Sequence, residues 1–133
     1  MAVGVSTTLA NNWLNAYRGG AAGTSITAPS ALYVQLHTGN PGTAGTSLPS
    51  GNTTRPAITF GAASSGAFSL SNSPSWTSWP SGQNNEVITN ISVWDASTSG
   101  NFLFSAQLST SKTMTTGDTL TISTCSVTFT TAS

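Results

Sequence analysis

The sequence predicts a mainly β domain, an antiparallel β-sandwich of jelly-roll-like type carrying one short N-terminal α-helix. Three observations lead there. Apolar residues at helical spacing occur once, over residues 6 to 18. From residue 32 onward the spacing changes to a period of two and recurs in about six to eight short runs, each closed by Gly, Pro, Asn or Asp. The chain has 133 residues, 37% of them hydrophobic, which suits one domain with a modest core. It has no tandem repeat or heptad of the kind a long shaft requires.

The helix comes first. Ser6 or Thr7 can cap it, because a hydroxyl there accepts an otherwise unpartnered backbone N–H. Leu9, Trp13, Ala16 and Tyr17 form one apolar stripe, Arg18 suits the C-terminal end of the helix dipole, and Gly19-Gly20 stop the helix. So short a helix is marginal alone, so its stripe should dock on its own domain or on a neighbouring subunit. Small residues follow up to Pro29. The expected division is therefore a helix-and-linker arm over residues 1–30 and a sandwich over 31–133.

Leu32, Val34 and Leu36 alternate with Tyr33, Gln35 and His37, a half-buried strand ended by GNPG. A long Gly/Pro/Ser/Thr loop over 39–54 holds one apolar residue, Leu48. Two short strands are expected at 57–62 and 67–70, then a polar loop over 71–85 containing WTSW. NEVITNISVWD puts Val87, Thr89, Ile91 and Val93 on one face. After the turn at 95–101, NFLFSAQL aligns Phe102, Phe104, Ala106 and Leu108, so the two runs read as a hairpin. The last run, TLTISTCSVTFT, switches parity: Leu120 and Ile122 are even, Cys125, Val127 and Phe129 odd. A strand cannot do that without a bulge or bend, so it either bends between two sheets or is buried on both faces.

Composition limits the function. Charged residues are 5% of the chain, three Lys/Arg against three Asp/Glu, where roughly 25% is usual. Arg18, Arg55 and Lys112 are widely spaced and form no basic footprint, so no nucleic-acid partner is expected. So neutral a surface has little charge repulsion between copies, which suits an assembly as well as a monomer. No run of about 18 apolar residues is present, so no membrane partner is expected. The first twenty residues lack the basic start and apolar stretch of a secretion signal, so synthesis and assembly in a cytoplasm are expected. Cys125, the one cysteine, lies in an alternating apolar run and reads as a buried, inert thiol.

No catalytic constellation stands out, and no enzyme is expected. His37, the one histidine, points away from Leu32, Val34 and Leu36, toward solvent, a second layer or a subunit contact. Glu86, Asp95 and Asp118 lie in or beside turns, where carboxylates cap backbone N–H groups. There is no GxSxG elbow, no GK[ST] after the glycine-rich stretches and no metal-ligand cluster, so neither cofactor nor metal is expected. Trp76 and Trp79 are the one candidate ligand feature: exposed, they would stack on sugar rings; otherwise they cap the open end of the sandwich or pack on a neighbouring chain. Together with Leu9, Trp13 and Tyr17 they are the candidate subunit or partner interface.

The strings STTLANNWLNAYRG, LYVQLHTGNPG, NISVWDASTSGNFLFSAQL and GDTLTIS, in that order, resemble a family of small virion structural proteins of tailed phages infecting actinobacteria, commonly labelled tail fibre or minor tail proteins. The resemblance runs from Ser6 to about Phe129. It implies a non-enzymatic component of the particle surface. The first expectation is a capsid decoration protein, a homotrimer on the outer head that reinforces the major capsid protein. The second is a tail fibre, tip or minor tail component that contacts tail proteins and the host surface, where a glycan contact through Trp76 and Trp79 would belong.

Overall fold

A computed structural model describes residues 4–18 and 27–129. Among these residues one α-helix, α1 (Thr7–Tyr17), precedes eight strands, with a short 3-10 turn (Ser81–Gln83) between the fourth and fifth: β1 (Leu32–His37), β2 (Ala57–Ile58), β3 (Ala67–Ser69), β4 (Ser75–Trp76), β5 (Glu86–Trp94), β6 (Phe102–Met114), β7 (Leu120–Thr121) and β8 (Ser126–Thr128). All pairings are antiparallel. The main sheet has the order β2-β1-β5-β6, and two short ladders, β3-β8 and β4-β7, face it. The fold is the antiparallel, sandwich-like class expected from the alternation.

The core lies between these layers. Val34 and Leu36 stand opposite Val93 and Ile91 across the β1–β5 ladder. With Ile58, Ile88 and Met114 they meet Trp76, Trp79, Leu120 and Ile122 from the facing layer. The reverse face of the same two strands is covered as well. Gln35, His37, Asn90, Ser92 and Trp94 are all buried, because residues 38–55 fold back over them. The ladder is therefore a double-sided wall, apolar on one side and polar on the other.

Two parity breaks shape the strands. On β5, Val87 is 41% exposed while Ile88 is buried beside Ile91 and Val93. Strict alternation puts Val87 on the inner face, but a register shift between Ile88 and Asn90 turns the first part of the strand over. At the end of the chain, β7 pairs with β4 and β8 with β3. Residues 122–125 between them are not strand, so the run bends from one ladder to the other, as its parity switch requires.

The helix is anchored at its start. Gly4–Ser6 lie along the outer edge of β6, with Ser6 N–H donating to Leu103 O (2.6 Å) and Ser105 N–H to Gly4 O (2.8 Å). Ser6 then caps α1, its Oγ accepting from Leu9 N–H at 3.2 Å. The helix itself buries no residue. Trp13 is half-buried, edge-on to Phe129 with ring centroids 5.0 Å apart. The apolar stripe thus docks only in part, and Leu14 and Tyr17 are 69% and 84% exposed.

Candidate functional site

The densest cluster of chemically capable groups lies under the 38–55 loop and centres on His37. Nδ1 of His37 is 2.8 Å from the carbonyl oxygen of Ser47, and Nε2 is 2.7 Å from Ser92 Oγ. A carbonyl only accepts, so Nδ1 carries the proton and Nε2 accepts from the Ser92 hydroxyl. Ser92 Oγ in turn accepts from the indole N–H of Trp94 at 2.7 Å. The result is a one-directional chain, Trp94 to Ser92 to His37 to Ser47, that requires a neutral imidazole. Burial pushes the His37 pKa below its ordinary value, and Arg55 adds to that; the ring's hydrogen bonding to the backbone of Ser47 and Leu48 opposes it.

Of the surroundings expected for His37, the second layer is the one observed, and solvent and a subunit contact are corrected. The ring faces neither water nor a neighbouring subunit; it is 0% exposed, because the polar loop beyond GNPG returns over that face and supplies its partner. A signal for this lay in the two strands. Gln35 and His37 on β1 stand opposite Ser92 and Asn90 on β5, and two polar rows on paired central strands call for a polar lid.

A serine hydroxyl on a histidine ring resembles a nucleophile and its base. The arrangement departs from that in three ways. The far ring nitrogen is held by a backbone carbonyl rather than a carboxylate. The Trp94 indole occupies a lone pair of Ser92 Oγ. Ser92 and His37 are each 0% exposed, so no substrate reaches them. The cluster fixes a loop.

Arg55 closes the other end of the lid. It donates through Nε to Gln35 Oε1 (2.8 Å) and through Nη1 to Ser99 O (2.8 Å), and lies 4.1 Å over the Trp94 ring, a cation–π contact. Glu86 accepts from Ser50 Oγ and from Gly51 N–H, both at 2.8 Å. Asp95 and Asp118 cap turns. Hydrogen bonds from Asn101 hold the Asp95 carboxyl below its usual range, and hydrogen bonds from Thr115 do the same for Asp118. Among the described residues no three His, Cys, Asp or Glu side chains gather as metal ligands. Burial raises the pKa of the half-buried Cys125 thiol.

Trp76 and Trp79 follow the capping alternative, and the interface and sugar-stacking readings are corrected. They are 2% and 1% exposed, packed within this chain, so neither indole offers a face to a sugar ring or a second subunit. Trp76 Nε1–H donates to Thr54 O at 2.8 Å and Trp79 Nε1–H to Gln83 O at 3.0 Å. Trp79 N–H also donates to Asp118 O, and Gly117 N–H to Trp79 O. The WTSW loop thereby ties the sandwich end to the 115–118 turn.

Among the described residues, two apolar surfaces stand out at the periphery, the second floored in part by core side chains. One is the part of α1 carrying Leu14 and Tyr17. The other is a groove of about 690 Å³ between β6 and the 120–126 segment, floored by Leu70, Ala106, Leu108, Leu120, Ile122 and Cys125. Residues 108–111 of β6 form its wall; they arch away from β5, where only Thr89 lies between the pairs Ile88–Lys112 and Asn90–Gln107. Of the residues expected at an interface, Leu9 and Trp13 are half-buried, Trp13 against Phe129, and Tyr17 is exposed. Leu14, which falls outside the i, i+4, i+7, i+8 stripe, is the exposed apolar residue that the helical spacing passed over.

A family model described as podophage GP4 fiber I protein, gp80, matches residues 4–130. The comparison with curated proteins found no match.

Proposed function

The chain belongs to the podophage GP4 fiber I protein family, gp80, and from that premise we propose that it is a structural part of the phage fibre apparatus, displayed on the virion surface. The single observation that carries this reading is the family match over residues 4–130. It favours the fibre role that the sequence placed second. The capsid-decoration role that the sequence placed first finds no support in a fibre family. A non-enzymatic role fits a buried Ser92–His37 pair and carboxylates spent on turns.

Self-association is part of the proposal, with the homotrimer as the assembly and other tail proteins as neighbours. Its support is α1, which buries no residue on its own chain while presenting Leu14 and Tyr17, on a protein with no net charge to hold copies apart. A head-to-tail contact through such a helix closes into a ring when its rotation is one third of a turn.

Immunogold electron microscopy of intact virions tests the location. Gold confined to the tail or its fibres is the expected result, and gold spread over the head would return the decoration role. Light scattering of the purified protein tests the assembly. A trimer that dissociates on combined Leu14→Ser and Tyr17→Ser substitution is expected; a monomer at all concentrations would remove the self-association.

A further inference from the structure

The relay through His37 does more than fill a buried space, because it joins a loop to the sheet through the one side chain type that changes charge near neutral pH. We propose that His37 is an acid-sensitive latch: uncharged, it pins the 38–51 loop to the β1–β5 ladder, and on taking up a proton it releases that loop while the sheet stays folded.

The geometry of the relay carries the inference. Every hydrogen in it has one direction. Ser47 O receives the Nδ1 proton, so the incoming proton must go to Nε2, where the Ser92 hydroxyl already donates. The hydroxyl would have to turn away so that Ser92 Oγ accepts from both His37 and Trp94. Its own hydrogen would then be left without a partner at a residue that is 0% exposed, a costly arrangement. The ring would also become a buried cation.

The surroundings give that cation no relief. On the elements packed around His37, the charged groups are Arg55 at the end of the loop and Glu86 at the start of β5. Arg55 is a like charge. Glu86 has its two oxygens committed to Ser50 and Gly51. Asn90, opposite His37 in register, has its Oδ1 engaged by Thr89 Oγ1 at 2.8 Å.

The loop is built to let go at that point. Leu48, between Ser47 and Pro49, holds a φ of +47°, a left-handed conformation that strains a side chain of its kind, and it leaves its side chain 59% exposed. It is kept there by the His37 bond to Ser47, by Leu48 O accepting from Thr38 N–H (3.0 Å), and by Ser50 N–H donating to Leu36 O (2.9 Å). Protonation at Nε2 leaves the Nδ1–H bond to Ser47 O in place but ends the Ser92 donation and puts a charge beneath the strained turn; water reaches that charge when the covering turn lifts, while the backbone pairing of β1 with β5 involves no atom of the imidazole.

Amide hydrogen exchange of the full chain at pH 7.5 and pH 5, corrected for intrinsic exchange rates and read by NMR with the ¹⁵N shifts of the His37 ring, tests this. At the lower pH the ring is expected to move from the Nδ1–H tautomer to the charged form. Protection at Thr38 and Ser50 is then expected to fall about tenfold or more while the β1–β5 ladder amides keep theirs. A ring that stays neutral with an unchanged loop, or a loop and ladder that lose protection together, would overturn the latch. His37→Asn keeps a side-chain N–H for Ser47 O but cannot titrate, so its loop protection is expected to be the same at both pH values. A fall persisting in that variant would assign the release to another group. If the variant fails to fold, the wild-type measurement decides alone.

Discussion

Ser92 is a small residue with two obligations. It donates to His37 Nε2 and accepts from Trp94 Nε1, both at 2.7 Å. Replacing it by Ala deletes a donor and an acceptor at once and leaves two buried ring nitrogens unpartnered, a loss of about 1–3 kcal/mol per group left so. Ser92→Ala is therefore expected to lower the urea midpoint markedly without changing the slope of the transition, a result that equilibrium denaturation followed by tryptophan fluorescence checks. Trp79 is the opposite case, a large side chain 1% exposed whose energy is mainly area and packing. Trp79→Ala is expected to cost about 3–5 kcal/mol, readable in the same experiment. Gly45 is a residue chosen for what it lacks. Its φ is +73° and a methyl there would run into the Phe102 ring, so Gly45→Ala is expected to destabilise by more than the roughly 0.5–1 kcal/mol of backbone preference alone, seen as a lowered thermal midpoint.

Elements differ in how far they depend on the core, and α1 depends on it least. Its cap is local, Ser6 Oγ to Leu9 N–H, and its main tertiary contact is Trp13 on Phe129. Ser6→Ala is expected to cost the helix about 1 kcal/mol. The far-ultraviolet helical signal should fall while the sheet still unfolds at nearly the wild-type denaturant concentration; a matching loss in both would show the helix to be integral to the domain. The same contrast explains what was readable beforehand. The helix, the strands at 32–37 and 86–94, and the bend after Ile122 announced themselves in spacing and parity, which are local. The turnover of Val87 was not readable, because it comes from a register shift against β6, a property of two strands. The polar rows of β1 and β5 call for a cover over His37, but which loop residues supply it, there and at Trp76, was not readable from alternation, since each depends on a long polar loop finding its partners. His37 needs Ser47, and Trp76 needs Thr54 O.

For the whole molecule, six charged side chains in 133 residues leave the pH dependence of stability to a few identifiable groups. Burial holds the folded pKa of His37 below the ordinary imidazole value of 6.5, so the unfolded chain takes up the proton first. Its contribution is complete above about pH 6.5 and is lost as the pH falls from there toward the folded value. Asp95 and Asp118 also lie below the ordinary aspartate value of 3.8, each through hydrogen bonds its carboxylate accepts. Protonation is again favoured in the unfolded chain, and stability is lost as the pH falls below about that value. Both carboxylates cap turns at the surface and are partly exposed, so water screens them and their step is the smaller one. Thermal unfolding between pH 3 and 9 is therefore expected to show a plateau above about 6.5, a first decline beneath it and a shallower second one below about 3.8. His37→Asn should remove the first decline and leave the second, whereas a profile unchanged by that substitution would place the neutral-range proton elsewhere. Raising the salt from 0.1 to 0.5 M is expected to move the plateau little, because so few charges are there to be screened.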